Sequence, residues 1–474
     1  MCPIVPFVPF QESRSWRVRS ESYRASRDGN AQHKCLRLGG QRPRLRGGWE
    51  MLCFTNGANV ASRAQIWMND TRGMLPYDRG MSSRRLYLDN AATSFPKPKS
   101  VHEAMARYAT ELGASAGRGA YHEAIETGRL IDECRRRINR LINGQKPEHV
   151  VFTLNCSDGL NMAIKGLIDP REKAHAICTH IDHNSILRPL RALEERGGLK
   201  VTRVPVDSGT GLVDPDEIRK AIRCDTKLIA ITHVSNVTGT VQPIRQIGQI
   251  AREAQIPLIV DAAQSAGHLP IDVQTDGIDL LAAPGHKGLL GPLGTGFLYI
   301  RPGIEEVLET FKEGGTGSVS EVDRQPDFLP DKYEPGSHNA IGIIGLSEGV
   351  KWILEQGIGK LHAHDSALVR DFIAGIENIE GLTFYGPQGA QDRVGVFSVR
   401  IDGYEPHELS AALESSFGIL TRSGIHCAPL AHEAIGTASL GGTTRFSFGP
   451  FVSREDIGFA IDTLAELSRS RVAS

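Results

Sequence analysis

Between residues 148 and 300 the chain alternates short apolar runs with amphipathic stretches. The runs "HVVFT", "AHAICTH", "LKVTRVPV", "KLIAITHV", "IPLIVDAA", "IDLLAAP" and "GTGFLYI" read as strands. Most are separated by helical patterns such as "SDGLNMAIKGLI", "DPDEIRKAIR" and "IRQIGQIAREAQ". Strand and helix in alternation predict βαβ units and a largely parallel sheet with helices on both faces.

The flanks have other rhythms. "LYLDNAATSFP" reads as a short strand and a turn, and Ser100 to Glu103 has the capping-box pattern of a helix start, with Val101, Met105, Tyr108 and Leu112 on one face. A second helix is expected in "TGRLIDECRRRINRLI", its stripe being Leu130, Cys134, Ile138, Leu141 and Ile142. From about residue 346 to 474, strands such as "RVGVFSVRI" and "TRFSFGPF" mix with helices such as "HELSAALESSF" and "EDIGFAIDTLAEL", the pattern of a smaller α+β domain. Residues 1–85 follow neither period and are rich in Arg, Ser and Gly. They are expected to be disordered, a segment with the acid-poor character of a transit peptide or an extension ahead of a start at Met68, Met74 or Met81.

Charge sharpens that division. The first 85 residues hold fourteen Arg and one Lys against six acids, a net of +9, so with −1 for the whole chain the remainder carries −10. A mildly acidic body offers no basic face to nucleic acid. The eight cysteines (Cys2, Cys35, Cys53, Cys134, Cys156, Cys178, Cys224 and Cys427) form no C-x-x-C pair in a chain of 474 residues, which points to a reducing, cytoplasmic setting. No apolar run is long enough to predict a membrane span, and no G-x-G-x-x-G fingerprint suggests a dinucleotide.

Ligands of open α/β sheets sit at the carboxyl ends of the strands, so the polar residues just past each apolar run are the candidates. They are Asn155, Cys156 and Ser157; His183; Asn236; Asp261 and Gln264; and His286 and Lys287. Singly, each has an ordinary reading: Asp261 as a helix cap, Lys287 as a chain reaching solvent, Ser157 or Asp158 as a cap. Jointly they suggest a cofactor. Asp261 ends an apolar strand, where a cation such as a pyridinium nitrogen would compensate its burial, and Lys287 lies in "LLAAPGHKGLLGPLG", where burial lowers an amine's pKa and frees it to form a Schiff base. "NCSDGLNMA" leads into a helix N-terminus that could attract a phosphate.

The segments "YLDNAATSFPKP", "DHNSILRP", "HVSNVTGTVQPI", "DAAQSAGHLPIDV", "GHKGLLGPLGTGFLYI", "EPGSHN" and "RSGIHCA" together resemble the cysteine desulfurases, class V aminotransferase-like members of the fold type I pyridoxal phosphate enzymes. The resemblance runs from about Leu86 to the C-terminus. It implies a large domain with a mostly parallel sheet between helices (105–345), a smaller α+β domain (346–474) carrying a catalytic-cysteine loop, and an N-terminal segment (86–104) that joins the small domain. It also implies pyridoxal 5'-phosphate as cofactor, with Lys287 as the aldimine lysine, Asp261 at the pyridine nitrogen, Gln264 at the ring hydroxyl and His183 stacked on the ring and shuttling protons. Ser157, His286 and the amides around Cys156 would hold the phosphate, and Ser337 would reach the phosphate of a neighbouring subunit in a homodimer. Arg445, with Asn236 and Arg422, would bind the substrate.

Cys427 separates the reactions, since beside His426 and Arg422 it lies in a setting expected to favour thiolate. In a desulfurase such a cysteine takes the sulfur of L-cysteine as a persulfide, releases L-alanine and passes the sulfur to an acceptor protein. A metal reading of His426, Cys427 and His432 lacks a fourth ligand of recognisable spacing. The R-x-G-x-H-C arrangement resembles the group that also acts on L-selenocysteine. The chain departs from that group with Pro284 ahead of Gly285-His286-Lys287, where serine is common, with Asn155-Cys156-Ser157 where threonines are usual, and with "EGGTGSVS" at residues 313–320. The competing expectations are a selenocysteine lyase or another lyase or transaminase of the same fold, and a non-catalytic scaffold.

Overall fold

A computed structural model of the chain describes residues 85–116, 119–169 and 171–472. The expectation for the N-terminal 85 residues therefore lies outside the described residues, Arg85 excepted.

In chain order the elements are β1 (Leu86–Tyr87), α1 (Lys99–Arg107), α2 (His122–Leu141), β2 (Val150–Thr153), α3 (Cys156–Leu167), β3 (Ala174–Thr179), α4 (Asn184–Glu195), β4 (Leu199–Val204), α5 (Pro215–Ala221), β5 (Thr226–Thr232), α6 (Ile244–Glu253), β6 (Leu258–Asp261), β7 (Leu280–Pro284) and β8 (Gly296–Ile300). There follow α7 (Ala340–Gln356), α8 (Ile358–Ile376), β9 (Leu382–Tyr385), β10 (Val396–Ile401), α9 (Pro406–Phe417), β11 (Ile419–Leu420), β12 (Arg422–Gly424), α10 (Pro429–Ala434), β13 (Thr443–Ser447) and α11 (Arg454–Val472).

Seven strands form one sheet in the order β2-β8-β7-β6-β5-β3-β4. Every pair is parallel except the two that involve β8. The alternation of side chains along these strands builds two cores. Leu258, Val260, Leu281 and Ala283 face the helices α2, α6 and α7, whereas Ile259, Leu280 and Ala282 face α3 and α4. That is the reason these strands are apolar throughout: both faces are covered. The expected α/β class with a mostly parallel central sheet is the observed one.

A second sheet, β12-β13-β10-β9, is antiparallel and packs on α8 and α11. Its core centres on Phe372, whose ring meets those of Phe397, Phe446 and Phe448 at 4.7, 5.8 and 5.3 Å. β1 pairs with β11 beside it, so the N-terminal segment is tied to this part of the chain.

Two local expectations are corrected. Helix α1 begins at Lys99 behind Pro98, which makes no side-chain cap, so Ser100 lies inside the helix and the capping box is absent. Proline's fixed φ starts the helix without a side-chain cap. Helix α2 begins at His122 and buries Ile131 in place of Leu130; Cys134 and Ile138 are buried as expected, since Ile131 lies three residues before Cys134 on the same helix face.

Candidate active site

The carboxyl ends of the parallel strands surround a cavity of about 290 Å³. Cys156, Ser157, His183, Asn236, Asp261, Gln264, His286 and Lys287 all line it. The clustering follows from the topology: β3, β5, β6 and β7 are neighbours and point the same way, so residues far apart in sequence leave the sheet at one edge.

Lys287 lies in the turn after β7, two residues past Gly285. A Cβ at Gly285 would come 2.1 Å from Thr295 Oγ1, so only glycine lets the chain drop from the strand here. The peptide before Lys287 is held by the N-terminal segment: the His286 carbonyl accepts from Ser94 N–H (2.9 Å), Thr93 Oγ1 (3.0 Å), Ser94 Oγ (3.1 Å) and Lys97 Nζ (3.4 Å). Burial lowers the Lys287 pKa, opposed by the nearby Asp261 carboxylate. Burial also brings Lys97 down to about 8.

Asp261 is 2 % exposed at the end of β6. Its Oδ1 accepts from the Ala263 N–H at 2.9 Å and from the Cys156 thiol at 3.2 Å, and Oδ2 has no donor among the described residues. Gln264 donates to the Ala91 carbonyl at 3.0 Å.

His183 caps α4: its Nδ1 accepts from Ser185 N–H at 3.0 Å, which places the ring proton on Nε2. Burial brings its pKa to about 4, so the ring is neutral at pH 7. His286 is neutral for the same reason, first burial and then the charge of Lys287, and its buried Nδ1 has no partner among the described residues. At the start of α3 the amides of Cys156 and Ser157 carry no hydrogen bond among the described residues, and the Ser157 hydroxyl meets that of Ser185 at 2.6 Å. A helix start with free amides is an anion site in waiting only where other groups agree, as they do here.

The cysteine loop is hydrogen-bonded to pocket residue Asn236 and to the start of α4. His426 and Cys427 are consecutive residues in the left-handed region, with φ of 51° and 59°. Asn236 Nδ2 donates to the His426 carbonyl at 2.7 Å, and Asn184 N–H to the Cys427 carbonyl at 2.9 Å. The thiol is exposed, with Arg422 Nη2 3.8 Å from its sulfur. His426 is buried, and burial drives its pKa well below the usual value, so it adds no positive charge and that expectation is corrected; the cation beside the thiol is Arg422. Arg445 is 1 % exposed, donating to the Asn236 carbonyl (3.2 Å) and to Asp89 Oδ1 (2.8 Å).

Ser337 stands apart from this group. It lines another cavity with Phe152, Leu154, Asp158, Glu334 and His338. Among the described residues no three His, Cys, Asp or Glu side chains converge as a metal set. No described helix is long and apolar enough to cross a membrane.

Sequence reasoning missed Asp89, Ser185 and Asn184. Asp89 lay within "YLDNAATS" and was not singled out because its partner, Arg445, is remote in sequence. Ser185 was marked only by its place two residues after His183, the spacing of a side chain that binds the following backbone.

Residues 86–459 match the family described as aminotransferase class-V. The chain belongs to this family, and within it to the cysteine desulfurases. A protein of Methanothermobacter thermautotrophicus named "Probable cysteine desulfurase" is 37% identical over 386 residues, 81% of this chain and 94% of that one. The "Cysteine desulfurase" of Haloferax volcanii is 29% identical over 80% of this chain and 88% of its own. Among solved structures, the apo cysteine desulfurase of Thermococcus onnurineus superposes with a TM-score of 0.76 at 32% identity, over 85% of this chain and 98% of that one. The Escherichia coli cysteine desulfurase CsdA, in an S-sulfonic acid form, gives 0.72 at 26% identity, over 84% and 97%. Enzymes of this class depend on pyridoxal phosphate.

Proposed function

We propose that the chain is a pyridoxal 5'-phosphate-dependent enzyme that converts L-cysteine to L-alanine, leaving the sulfur on Cys427 for an acceptor protein. The observation that carries the reading is the joining of two features at one strand-end pocket. Lys287 and Asp261 line it, and pocket residue Asn236 holds the loop that presents the Cys427 thiol.

The pocket fits the cofactor. Asp261 offers one uncommitted carboxylate oxygen to a cationic ring nitrogen, Lys287 an amine whose pKa burial lowers, and α3 two free amides beside Ser157 and His286 for a phosphate. When bound, the cofactor acts as an electron sink for the bonds at the substrate's α-carbon.

Lys287 Nζ is the group to hold and return a proton, because burial lowers its pKa and so eases the loss of that proton. Neutral His183, its Nδ1 engaged by Ser185, offers Nε2–H to the pocket as ring support and proton donor. Arg445 and Arg422 give a substrate carboxylate its two cationic partners, with Asn236 beside them. The sulfur step balances without a redox partner: the Cβ–S bond of cysteine breaks, sulfur joins Cys427 as a persulfide, and Cβ takes a proton to give alanine.

A homodimer is part of the proposal. Leu154, 59 % exposed, borders the cavity where Ser337 would meet the phosphate of a second copy.

The test is Cys427→Ala. The variant should keep the cofactor's visible band and lose alanine formation from cysteine by more than about 100-fold. Full sulfide and alanine release by this variant would reject the persulfide route. L-Selenocysteine in the same assay distinguishes a lyase, which would turn it over without Cys427.

A further inference from the structure

Cys156 stands where the resembled family has threonine, and its side chain is not aimed at the anion end of the pocket. Its sulfur lies 3.2 Å from Asp261 Oδ1 and 3.4 Å from the Ala282 carbonyl. A cysteine at the first turn of a helix ordinarily loses its proton more easily, since the helix amides favour the thiolate. Here the balance is reversed: burial, followed by the Asp261 charge, raises the Cys156 pKa well above its usual value, with only Lys287 opposing. The sulfur therefore keeps its proton and acts as a donor. Of its two acceptors, the charged carboxylate is the nearer and the stronger.

We propose that Cys156 is a positioning residue that donates its thiol proton to Asp261, fixing which carboxylate oxygen meets the cofactor and how strongly it does so. The proposal rests on the reading of this pocket as a pyridoxal phosphate site. With the Ala263 N–H at 2.9 Å and the thiol at 3.2 Å, Oδ1 is committed to the protein, and Oδ2 alone is left for a ring nitrogen. Two donors on one oxygen also spread the carboxylate's charge, so it competes less for the proton on that nitrogen. The same side chain thus belongs to the ring end of the pocket, while its backbone amide belongs to the phosphate end.

The experiment uses pyridoxal phosphate labelled with ¹⁵N in the ring, bound to the wild-type enzyme and to Cys156→Ala and Cys156→Ser. In Cys156→Ala the ring-nitrogen resonance should move toward the unprotonated position and the cofactor should dissociate about tenfold more readily or faster still, the loss of one hydrogen bond to a charged group. Cys156→Ser, which keeps a donor, should restore both. A Cys156→Ala enzyme with wild-type resonance and wild-type retention would overturn the proposal. Should Cys156→Ala fail to fold, the S–H stretch of the wild-type protein decides, assigned by its disappearance in Cys156→Ser. A band shifted to low frequency supports the donor role, and one at the frequency of an unbonded thiol overturns it. A wild-type protein that takes up no pyridoxal phosphate would reject the cofactor reading, while the S–H stretch would still judge the Cys156–Asp261 bond.

Discussion

The strand ends around the pocket and the neighbouring cysteine loop are built by different means. The strand-end wall, from β3, β5, β6 and β7, sets Asp261 and Lys287 by sheet register and buries the carboxylate to 2 %. The second, the loop at 426–427 tied to pocket residue Asn236, is held by two hydrogen bonds to its carbonyls and has two consecutive left-handed residues, and its thiol is exposed. Groups that must keep one electrostatic environment lie on the rigid sheet, where pKa shifts by burial are available. The group that must hand an atom to another protein lies at the surface, where burial is of no use to it.

The comparison can be broken from either side. The largest effect is expected at the sheet: Lys287→Ala should lower alanine formation by at least about 10⁴-fold and abolish the covalent attachment of cofactor, read by its visible band and by borohydride trapping. At the loop, Asn236→Ala removes the side chain that restrains the His426 carbonyl. It should reduce the turnover of cysteine about tenfold while the cofactor band persists, because a displaced thiol slows sulfur capture without disturbing the sheet. Loss of the cofactor in that variant would mean that the strand ends and the loop are not separable.

The smallest effect concerns acid stability. His183, His233, His268, His286 and His432 are each lowered to about 4, burial being the main cause throughout. Between their unfolded pKa of about 6.5 and this folded value, the unfolded chain binds more protons, so stability falls as the pH falls through that window. Buried Asp182, raised to about 7, and Asp365, raised to about 6, act in the opposite sense, but they are two groups against five. Thermal melts should therefore move to lower temperature from pH 6.5 to pH 4.5, and a flat or rising Tm would contradict the balance.

The inner strands of the central sheet, β6 and β7 above all, were legible because they are buried on both faces and so are apolar along almost their whole length; the ends carried the polar candidates as a direct consequence. β9 was not, since "LTFY" lies at the edge of its sheet and is only partly buried. The start of α1 was misread because a sequence pattern cannot say whether Ser100 or Pro98 sets the first turn. In the pocket, residue types were readable but pairings were not. Nothing in the chain order announces that Arg445 meets Asp89 across 356 positions, or that Cys156 turns toward Asp261 rather than outward. His426 looked like a positive neighbour of the thiol because a sequence shows adjacency and not burial.

The central claim is that the thiol of the exposed loop takes sulfur from a substrate processed at the sheet. A single-turnover mixture of cofactor-loaded enzyme with one equivalent of L-cysteine, quenched and split for amino-acid analysis and peptide mass spectrometry, tests it most directly. The account predicts one alanine formed per sulfur gained, with that sulfur on Cys427. Alanine accompanied by free sulfide and an unmodified Cys427 would contradict it.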